Sequence, residues 1–439
     1  MIIKRLQNLF IRQFKGEAGD VFRGMLTLVM GAGGARIVGI ASIPILTRMY
    51  SPDDYGVLAV YTSIVTLLVP ILTLRYVTAI PLPKTDVMAF NLFIICAKLI
   101  ALGGLLIALI LGLFGHIVLG WFSMGNLAPY WWLIAIGTMG AATYELFSAW
   151  ATRKKDYRVI AKTQLSQSLL GELVKISLGL LSIRPLGLVF GQVFSQSAGT
   201  GSYLKNARKD FKKLCPLVSK NRQKIIASFY RDFPKYRLPS QFLMVLSMQA
   251  PILMMATLYD KGATGQLSLA FMALSFPVSL VGSAMSKAYY AEIAAIGKSD
   301  LPKIRRITYS VQKKLFVIGV PITIGAIFFA QPLFVLFFGV KWSLAGKYAA
   351  MLSPFMLLQF TSNPLVQVLN IVGSQFLFLA INVVRIIGLC IIWGCTLYVL
   401  PNSSQFVFVL SLYLFLFYLI MSWLIFYEMG HIGNVEKNN

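Results

Sequence analysis

The sequence predicts an all-α integral membrane protein, and three observations lead to that prediction. Of its 439 residues, 57% are hydrophobic and only 13% are charged, and the mean hydropathy is +0.74; no water-soluble domain of this size combines these values. Apolar runs of about 20 residues recur throughout, each long enough to cross a hydrocarbon core of about 30 Å as a helix. The strand-length alternation of a membrane β-barrel is absent from the sequence.

The apolar segments predict about twelve transmembrane helices in two sets of six. The first set is expected at residues 24–46, 56–74, 88–113, 128–150, 159–181 and 186–204. The second set is expected at residues 238–259, 264–288, 315–338, 345–371, 376–399 and 404–427. We count 29 of the 40 Lys and Arg in the segments on one side of these spans and five on the other. This asymmetry indicates that the basic segments and both termini are cytoplasmic.

Local residues support the individual helices in order. Helix 1 carries GAGGAR at 31–36, where small residues permit close packing of helices. Helix 2 follows Ser51, a residue type that caps helix starts, and an aromatic belt (YWW, 130–132) marks the outer end of helix 4. The second half repeats this layout, with six cations between residues 298 and 314 holding one of its connections inside.

The two halves are separated by one strongly basic stretch, residues 205–237. It contains eleven Lys and Arg but only two acidic residues. We interpret it as a cytoplasmic loop between two lobes, with a charge that follows from the membrane topology.

The resulting domain plan has five parts. A cytoplasmic N-terminal segment, in which residues 2–14 could form an interfacial amphipathic helix, precedes the first lobe. The parts are residues 1–23, the N-lobe 24–204, the basic inter-lobe loop 205–237, the C-lobe 238–428 and a cytoplasmic tail 429–439.

Composition argues against several classes of function. The net charge of +25 would suit a nucleic-acid partner, but the charges follow the membrane topology, so none is expected. The four cysteines have no spacing typical of a zinc site or a disulfide framework, and the two histidines form no catalytic group. A phosphate-binding G-x-x-x-x-G-K-[ST] motif is also absent. We expect a transporter without catalytic residues, metal or cofactor.

Three cations deep in the predicted spans are candidate substrate ligands. Arg36, Lys98 and Arg385 each lie about ten residues or more into a helix, roughly 15 Å deep at 1.5 Å per residue. A charge there costs several kcal/mol unless it is paired or hydrated. The alternative is a structural pairing with Glu145, with Glu172 or with a carbonyl at a helix end. Because cations outnumber acids six to two within the spans, the cavity is expected to suit an anionic cargo.

Predicted helix 5 is the most polar span. Gln164, Ser168, Glu172 and Lys175 share one face at helical spacing, so this face should meet protein or water instead of lipid. A simple Glu172–Lys175 ion pair is one interpretation. In the other, Lys175 joins the substrate ligands while Glu172, together with Glu145, couples transport to H⁺ or Na⁺. The sequence leaves both open.

Four stretches of the sequence resemble one family of bacterial membrane proteins. The most specific is 230–241 (YRDFPKYRLPSQ), which leads into helix 7; the others are 44–56 (PILTRMYSPDDYG), 282–292 (GSAMSKAYYAE) and 338–348 (FGVKWSLAGKY). They resemble the O-antigen and capsule repeat-unit flippases, the polysaccharide exporters of the multidrug/oligosaccharidyl-lipid/polysaccharide exporter superfamily.

This resemblance implies two six-helix lobes forming a V around a central cavity. It also implies a function: alternating access would carry an undecaprenyl-diphosphate-linked oligosaccharide, an O-antigen or capsule precursor, from the cytoplasmic to the periplasmic leaflet of the inner membrane. The cavity would take the diphosphate and sugars while the polyprenyl tail stays in lipid. Arg36 matches the family's habit of placing cations in the first helices. Expected partners are the bilayer, a polysaccharide polymerase and a chain-length regulator.

Two other functions remain open from the sequence. A small-molecule exporter of the same fold is one, although a cationic cavity does not suit cationic drugs. A membrane polysaccharide polymerase or ligase is the other. Such an enzyme is expected to carry a long outer loop, whereas the outer loops predicted here do not exceed about 15 residues.

Overall fold

The computed structural model describes residues 17–296, 300–366, 368–369, 375–399 and 402–438, and none of these forms a β-strand. The predicted interfacial helix at 2–14 lies outside the described residues. Seven described segments are long and apolar enough to cross a membrane: Met30–Met49, Pro52–Leu72, Asp86–Gly120, Phe233–Leu258, Leu301–Phe338, Ala380–Val399 and Ser403–Gly430. The prediction of an all-α, multi-pass membrane protein is confirmed.

Every predicted span coincides with a helix, although several bounds differ. The helices of the first half are α1 (Glu17–Met49), α2 (Pro52–Leu72), α3 (Asp86–Gly120), α4 (Trp131–Arg153), α5 (Tyr157–Leu180), α6 (Leu186–Ser197), α7 (Thr200–Leu214) and α8 (Lys220–Phe229). Those of the second half are α9 (Leu238–Leu258), α10 (Lys261–Ile296), α11 (Leu301–Phe338), α12 (Ser343–Ser362), α13 (Gln375–Val399) and α14 (Ser403–Asn438).

Packing divides the chain into two compact units. The first comprises Met1–Met49, Ile64–Gly120 and Gly125–Phe242, and the second comprises Tyr50–Ser63, Trp121–Met124 and Leu243–Asn439. The chain therefore changes unit within helix α2, which the sequence did not indicate. The proposed lobe boundaries and the V-shaped arrangement stay predictions.

The sixth predicted span is shorter than expected. Helix α6 ends at Ser197, and the chain turns at Gly199, which has φ +90. Glycine suits this position because it adopts positive φ readily, and because a Cβ there would lie 2.9 Å from the Thr163 side chain. With 12 residues, α6 is about 18 Å long, so it does not cross a 30 Å core by itself.

The basic stretch 205–237, which the sequence analysis interpreted as a loop between the lobes, is largely helical. It contains most of α7, all of α8 and a π-helical turn at Phe233–Arg237 that leads directly into α9. Apolar residues on one face explain the difference: Phe211 packs among the rings of Phe90, Phe93, Phe147 and Trp150, with centroid distances of 5.0 to 6.0 Å. The stretch is thus a folded cap on the first unit.

Hydrogen bonds fix this cap to helix α3 and to the turn after α2. Asn91 on α3 accepts from the Ser219 backbone N–H (3.1 Å) and donates to the Leu217 carbonyl (3.4 Å). Tyr76 Oη donates to the Ala227 carbonyl (3.1 Å). These bonds hold the connection between α7 and α8, and α8 itself, against the first unit.

Helix α11 also extends into a region that the sequence assigned to a loop. Asp300 accepts a hydrogen bond from the Lys303 backbone N–H (3.0 Å) and so caps the helix at its start. The 38-residue helix is about 57 Å long, well beyond a 30 Å core, so its basic first third is an extension beyond the span. Helix α12, in contrast, ends at Ser362 instead of residue 371, two residues before Pro364, which has no N–H to continue the helical hydrogen bonds.

Within the second unit, the starts of α2 and α10 cross in a reciprocal contact. A Cβ on Gly56 would collide with the Lys261 carbonyl oxygen, and a Cβ on Gly265 would collide with the Pro52 carbonyl oxygen. Lys261 follows Pro52, and Gly265 follows Gly56, by the same 209 positions. Such reciprocity is what a local two-fold relation produces. The contact is consistent with the repeated layout of the two halves that the sequence predicted.

Candidate functional site

The strongest candidate site surrounds Arg385 on helix α13, in the second unit. Its side chain is 9% exposed, and its guanidinium lies over two rings of α14, with Cζ 5.7 Å from the centroid of Phe417 and 5.6 Å from that of Tyr418. Tyr413 donates to the Arg385 backbone carbonyl (3.0 Å) and so steadies the helix there. Aromatic faces stabilise a desolvated cation by about 2 kcal/mol without using its N–H donors.

The donors of Arg385 remain available. Its Nε is buried without a hydrogen-bond partner among the described residues, and none of their carboxylates lies within 4.0 Å of the guanidinium. A buried cation that lacks a compensating charge is costly unless an anion or water reaches it. The structure therefore holds Arg385 in a state suited to an incoming anion.

Two cavities share this side chain in their linings. One has a volume of about 310 Å³ and the other about 170 Å³, and both are lined by Met248, Gln359 and Arg385. Gln359 donates to Tyr418 Oη (2.9 Å), which leaves its amide oxygen free to accept from a ligand. None of the described residues that line either cavity is acidic. We call the two cavities together the Arg385 chamber.

The polar face of helix α5 forms a second cluster, in the first unit. Glu172 accepts from Ser42 Oγ of α1 (2.7 Å) and from Lys175 Nζ (2.9 Å), and its side chain and that of Lys175 are 14% and 8% exposed. Ser168 donates to the Ala35 carbonyl (2.6 Å). The face therefore packs against α1, as its sequence pattern predicted. Both carboxylate oxygens of Glu172 have donors. One of these donors is Lys175, so the lysine charge is compensated by an ion pair in this conformation.

Glu145 and Lys98 also have partners. Arg75 Nη1 lies 3.1 Å from Glu145 Oε1, so the carboxylate that we predicted to couple to an ion forms a salt bridge. Lys98 donates to Gln223 of the cap (2.9 Å). Helix α3 has 35 residues and is about 52 Å long, so it extends well beyond a 30 Å core. Lys98 therefore need not lie at membrane depth, and the cap contacts it there. Arg36 on α1 is exposed and lines none of the described cavities.

A basic and acidic network lies at the other end of the cap. Asp86 contacts Arg153 (2.9 Å) and Lys154 (2.7 Å), and Lys154 also contacts Asp210 (3.2 Å). Burial lowers the pKa of Lys154, but its hydrogen bonds to the two carboxylates outweigh burial, and the net pKa is raised. This network joins α3, α4 and α7 and is a structural feature of the cap.

Comparison with known proteins identifies the family. The family described as "Polysaccharide biosynthesis protein" matches residues 45–346, more than half of the chain. The protein belongs to this family. The match includes Lys98, Glu145, Glu172 and Lys175, whereas Arg36 and Arg385 lie outside the matched residues. No curated protein matches the sequence.

Solved structures show which fold this member of the polysaccharide biosynthesis family has. A MATE transporter of Vibrio cholerae, VcmN, is 15% identical over 94% of this chain and 96% of its own, with a TM-score of 0.62. An inward-facing multidrug resistance MATE transporter of the MOP superfamily is 13% identical over 93% and 95%, with a TM-score of 0.64. The lipid II flippase MurJ, in an inward closed conformation, is 12% identical over the full length of both chains, with a TM-score of 0.57. The chain therefore has the fold of these multi-pass transporters.

Sequence reasoning singled out Arg385 as a candidate but did not indicate its surroundings. Phe417, Tyr418 and Gln359 hold or complement its guanidinium, yet in the sequence they look like ordinary residues of apolar spans. The one available signal is negative: no acidic residue occurs in α13 or near these positions of α14 to pair with Arg385. For this member of the polysaccharide biosynthesis family, the roles of the six predicted site residues in transport stay predictions.

Proposed function

We propose that the protein is a flippase for an undecaprenyl-diphosphate-linked oligosaccharide, an O-antigen or capsule precursor. It would move this cargo from the cytoplasmic to the periplasmic leaflet of the bacterial inner membrane by alternating access, with both termini in the cytoplasm. Membership in the polysaccharide biosynthesis family and the transporter fold support a flippase or exporter in that process. A polymerase and a chain-length regulator are the partners that this proposal entails.

The observation on which the proposal depends is the unpaired, buried cation of the Arg385 chamber. A diphosphate offers anionic oxygens that match the planar donor fork of arginine. The larger cavity of about 310 Å³ is at the lower end of ligand-site volumes, which run from about 300 to 1,000 Å³. The chamber thus suits the charged part of the cargo and not a complete oligosaccharide.

The alternative, export of cationic small molecules on the same fold, is less consistent with this chamber. An organic cation entering it would meet Arg385 with no acid in the lining to offset the repulsion. An ethidium efflux assay addresses this alternative directly. Efflux above that of empty vesicles by the purified protein would favour the exporter.

The main test replaces Arg385 in cells and scores surface polysaccharide. Loss of hydrogen bonds to a charged group costs about 1.5 to 3 kcal/mol, so Arg385→Ala should lower transport by roughly 10- to 100-fold. Arg385→Lys should be intermediate because lysine lacks the planar fork. Arg306→Ala is the matched control, since Arg306 is exposed on α11. Wild-type polysaccharide from Arg385→Ala, with normal protein in the membrane, would overturn the proposal.

We also propose that an ion gradient, of H⁺ or Na⁺, drives the cycle through Glu172. The carboxylate is largely buried and its pairing with Lys175 could be exchanged for a proton or a cation as the conformation changes. Glu145 is the weaker candidate because its side chain is 31% exposed, compared with 14% for that of Glu172.

A further inference from the structure

A second cavity of the second unit has a wholly apolar lining. It is a groove of about 320 Å³ between α9 and α13, lined by Leu246, Ser247, Ala250, Leu253, Met254, Thr257, Ile386, Leu389, Cys390 and Trp393. The two hydroxyls in this set do not face the groove as free donors. Ser247 donates to the Met244 carbonyl (2.8 Å) and Thr257 to the Met254 carbonyl (3.0 Å), both on their own helix.

The groove and the Arg385 chamber lie on opposite faces of α9 and on neighbouring faces of α13. On α9, Met248 lines the chamber, whereas Leu246, Ala250 and Leu253 line the groove on the opposite side of the helix. On α13, Leu389 lines the groove one turn, about 6 Å, beyond Arg385. Helices α9 and α13 therefore border both the chamber that contains the cation and the apolar groove.

In a bilayer, a groove without free polar groups is filled by hydrocarbon. A ligand that fits both the Arg385 chamber and the apolar groove carries an anionic headgroup and a long apolar chain. We infer that the groove holds the polyisoprenoid chain of the lipid-linked cargo while the Arg385 chamber takes its anionic headgroup. This inference rests on the proposed function and refines it: the chain has a seat on the protein instead of lying free in the lipid.

The chain offers a matched pair of native reporters for this groove. Cys390 and Cys395 are both exposed on α13, but only Cys390 lines the groove. At about 100° per residue, Cys395 points to roughly the opposite side of the helix from the groove. Two variants, each keeping one of these cysteines and carrying serine at the other three positions, report on the two faces separately.

The first experiment measures the rate of maleimide labelling of each variant in phosphatidylcholine nanodiscs. Undecaprenyl phosphate should slow labelling of Cys390 several-fold and leave Cys395 unchanged. Equal rates at Cys390 with and without undecaprenyl phosphate, or equal slowing at both cysteines, would overturn the inference. Equal protection by phosphatidylglycerol at the same molar fraction would also overturn it, because the groove would then hold ordinary acyl chains.

A second experiment fills the groove and compares long and short chains. In proteoliposomes, Ala250→Trp should slow flipping of a C55-linked oligosaccharide several-fold but not of a C10-linked one. Ile387→Trp, on an exposed position outside the groove, should slow neither.

The outcomes separate this inference from the proposed function. Should wild-type protein flip both substrates while Ala250→Trp slows neither, the groove assignment fails and the flippase stands. Should wild-type protein flip neither substrate, the flippase proposal fails, and labelling of Cys390 still decides whether the groove binds the isoprenoid.

Discussion

Removing the partners of the Glu172 cluster one at a time and together should show a strong non-additivity. The two charges are 2.9 Å apart, and at an effective dielectric of about 20 they attract by roughly 6 kcal/mol. Desolvation of both ions offsets most of that attraction, whereas removing one partner leaves the other charge buried and costs about 3 to 5 kcal/mol. We therefore expect Lys175→Met to be less stable than the double variant Glu172→Gln with Lys175→Met.

Thermal denaturation in detergent, followed by size-exclusion chromatography of a fluorescent fusion, gives the order of stabilities. Lys162→Met is the matched control, because Lys162 is exposed on the same helix. Ser42→Ala should fall between the control and Lys175→Met, since it removes one hydrogen bond to the carboxylate, worth about 1.5 to 3 kcal/mol. A double variant no more stable than Lys175→Met would refute the reasoning about the pair.

The same double variant tests ion coupling, because it removes the exchangeable carboxylate without leaving a buried charge. If Glu172 couples transport, flipping in proteoliposomes should continue but no longer respond to an imposed H⁺ or Na⁺ gradient. A wild-type gradient response in the double variant would place the coupling elsewhere.

Two further predictions concern the fold. Gly56→Ala should reduce the yield of folded protein because the new Cβ meets a backbone carbonyl. Gly33→Ala should be tolerated because a Cβ there meets nothing within 4 Å. Equal yields of the two variants would contradict the reciprocal contact of α2 and α10. Phe211→Ala should destabilise the cap by about 3 to 5 kcal/mol and speed proteolysis within it. Phe229→Ala should do neither, because Phe229 is 75% exposed. Equal cleavage rates of the two variants would contradict the packing of the cap.

Hydropathy predicted the positions of the spans because a helix that crosses lipid must be apolar over about 20 residues. It failed at the basic cap because a helix that packs one face on protein can be polar on the other. Leu214 and Ile226 pack toward the core of the first unit while Lys212 and Lys224 are exposed, and an average over the stretch hides that alternation. The end of α6 was missed for a different reason, since Gly199 is one of six consecutive small residues at 197–202 and does not stand out among them.

The candidate site shows a different limit. The sequence places Arg385, Lys98 and Lys175 within predicted spans, where burying an unpaired charge is costly. What each cation can bind depends on the partner that the structure gives it. Lys175 has a carboxylate at 2.9 Å and Lys98 has an amide oxygen at 2.9 Å, so binding an anion would require either to give up an existing contact. Arg385 is held by aromatic faces that occupy none of its donors. Arg385 can therefore bind a phosphate without breaking an existing contact. For this reason the flippase proposal depends on this residue.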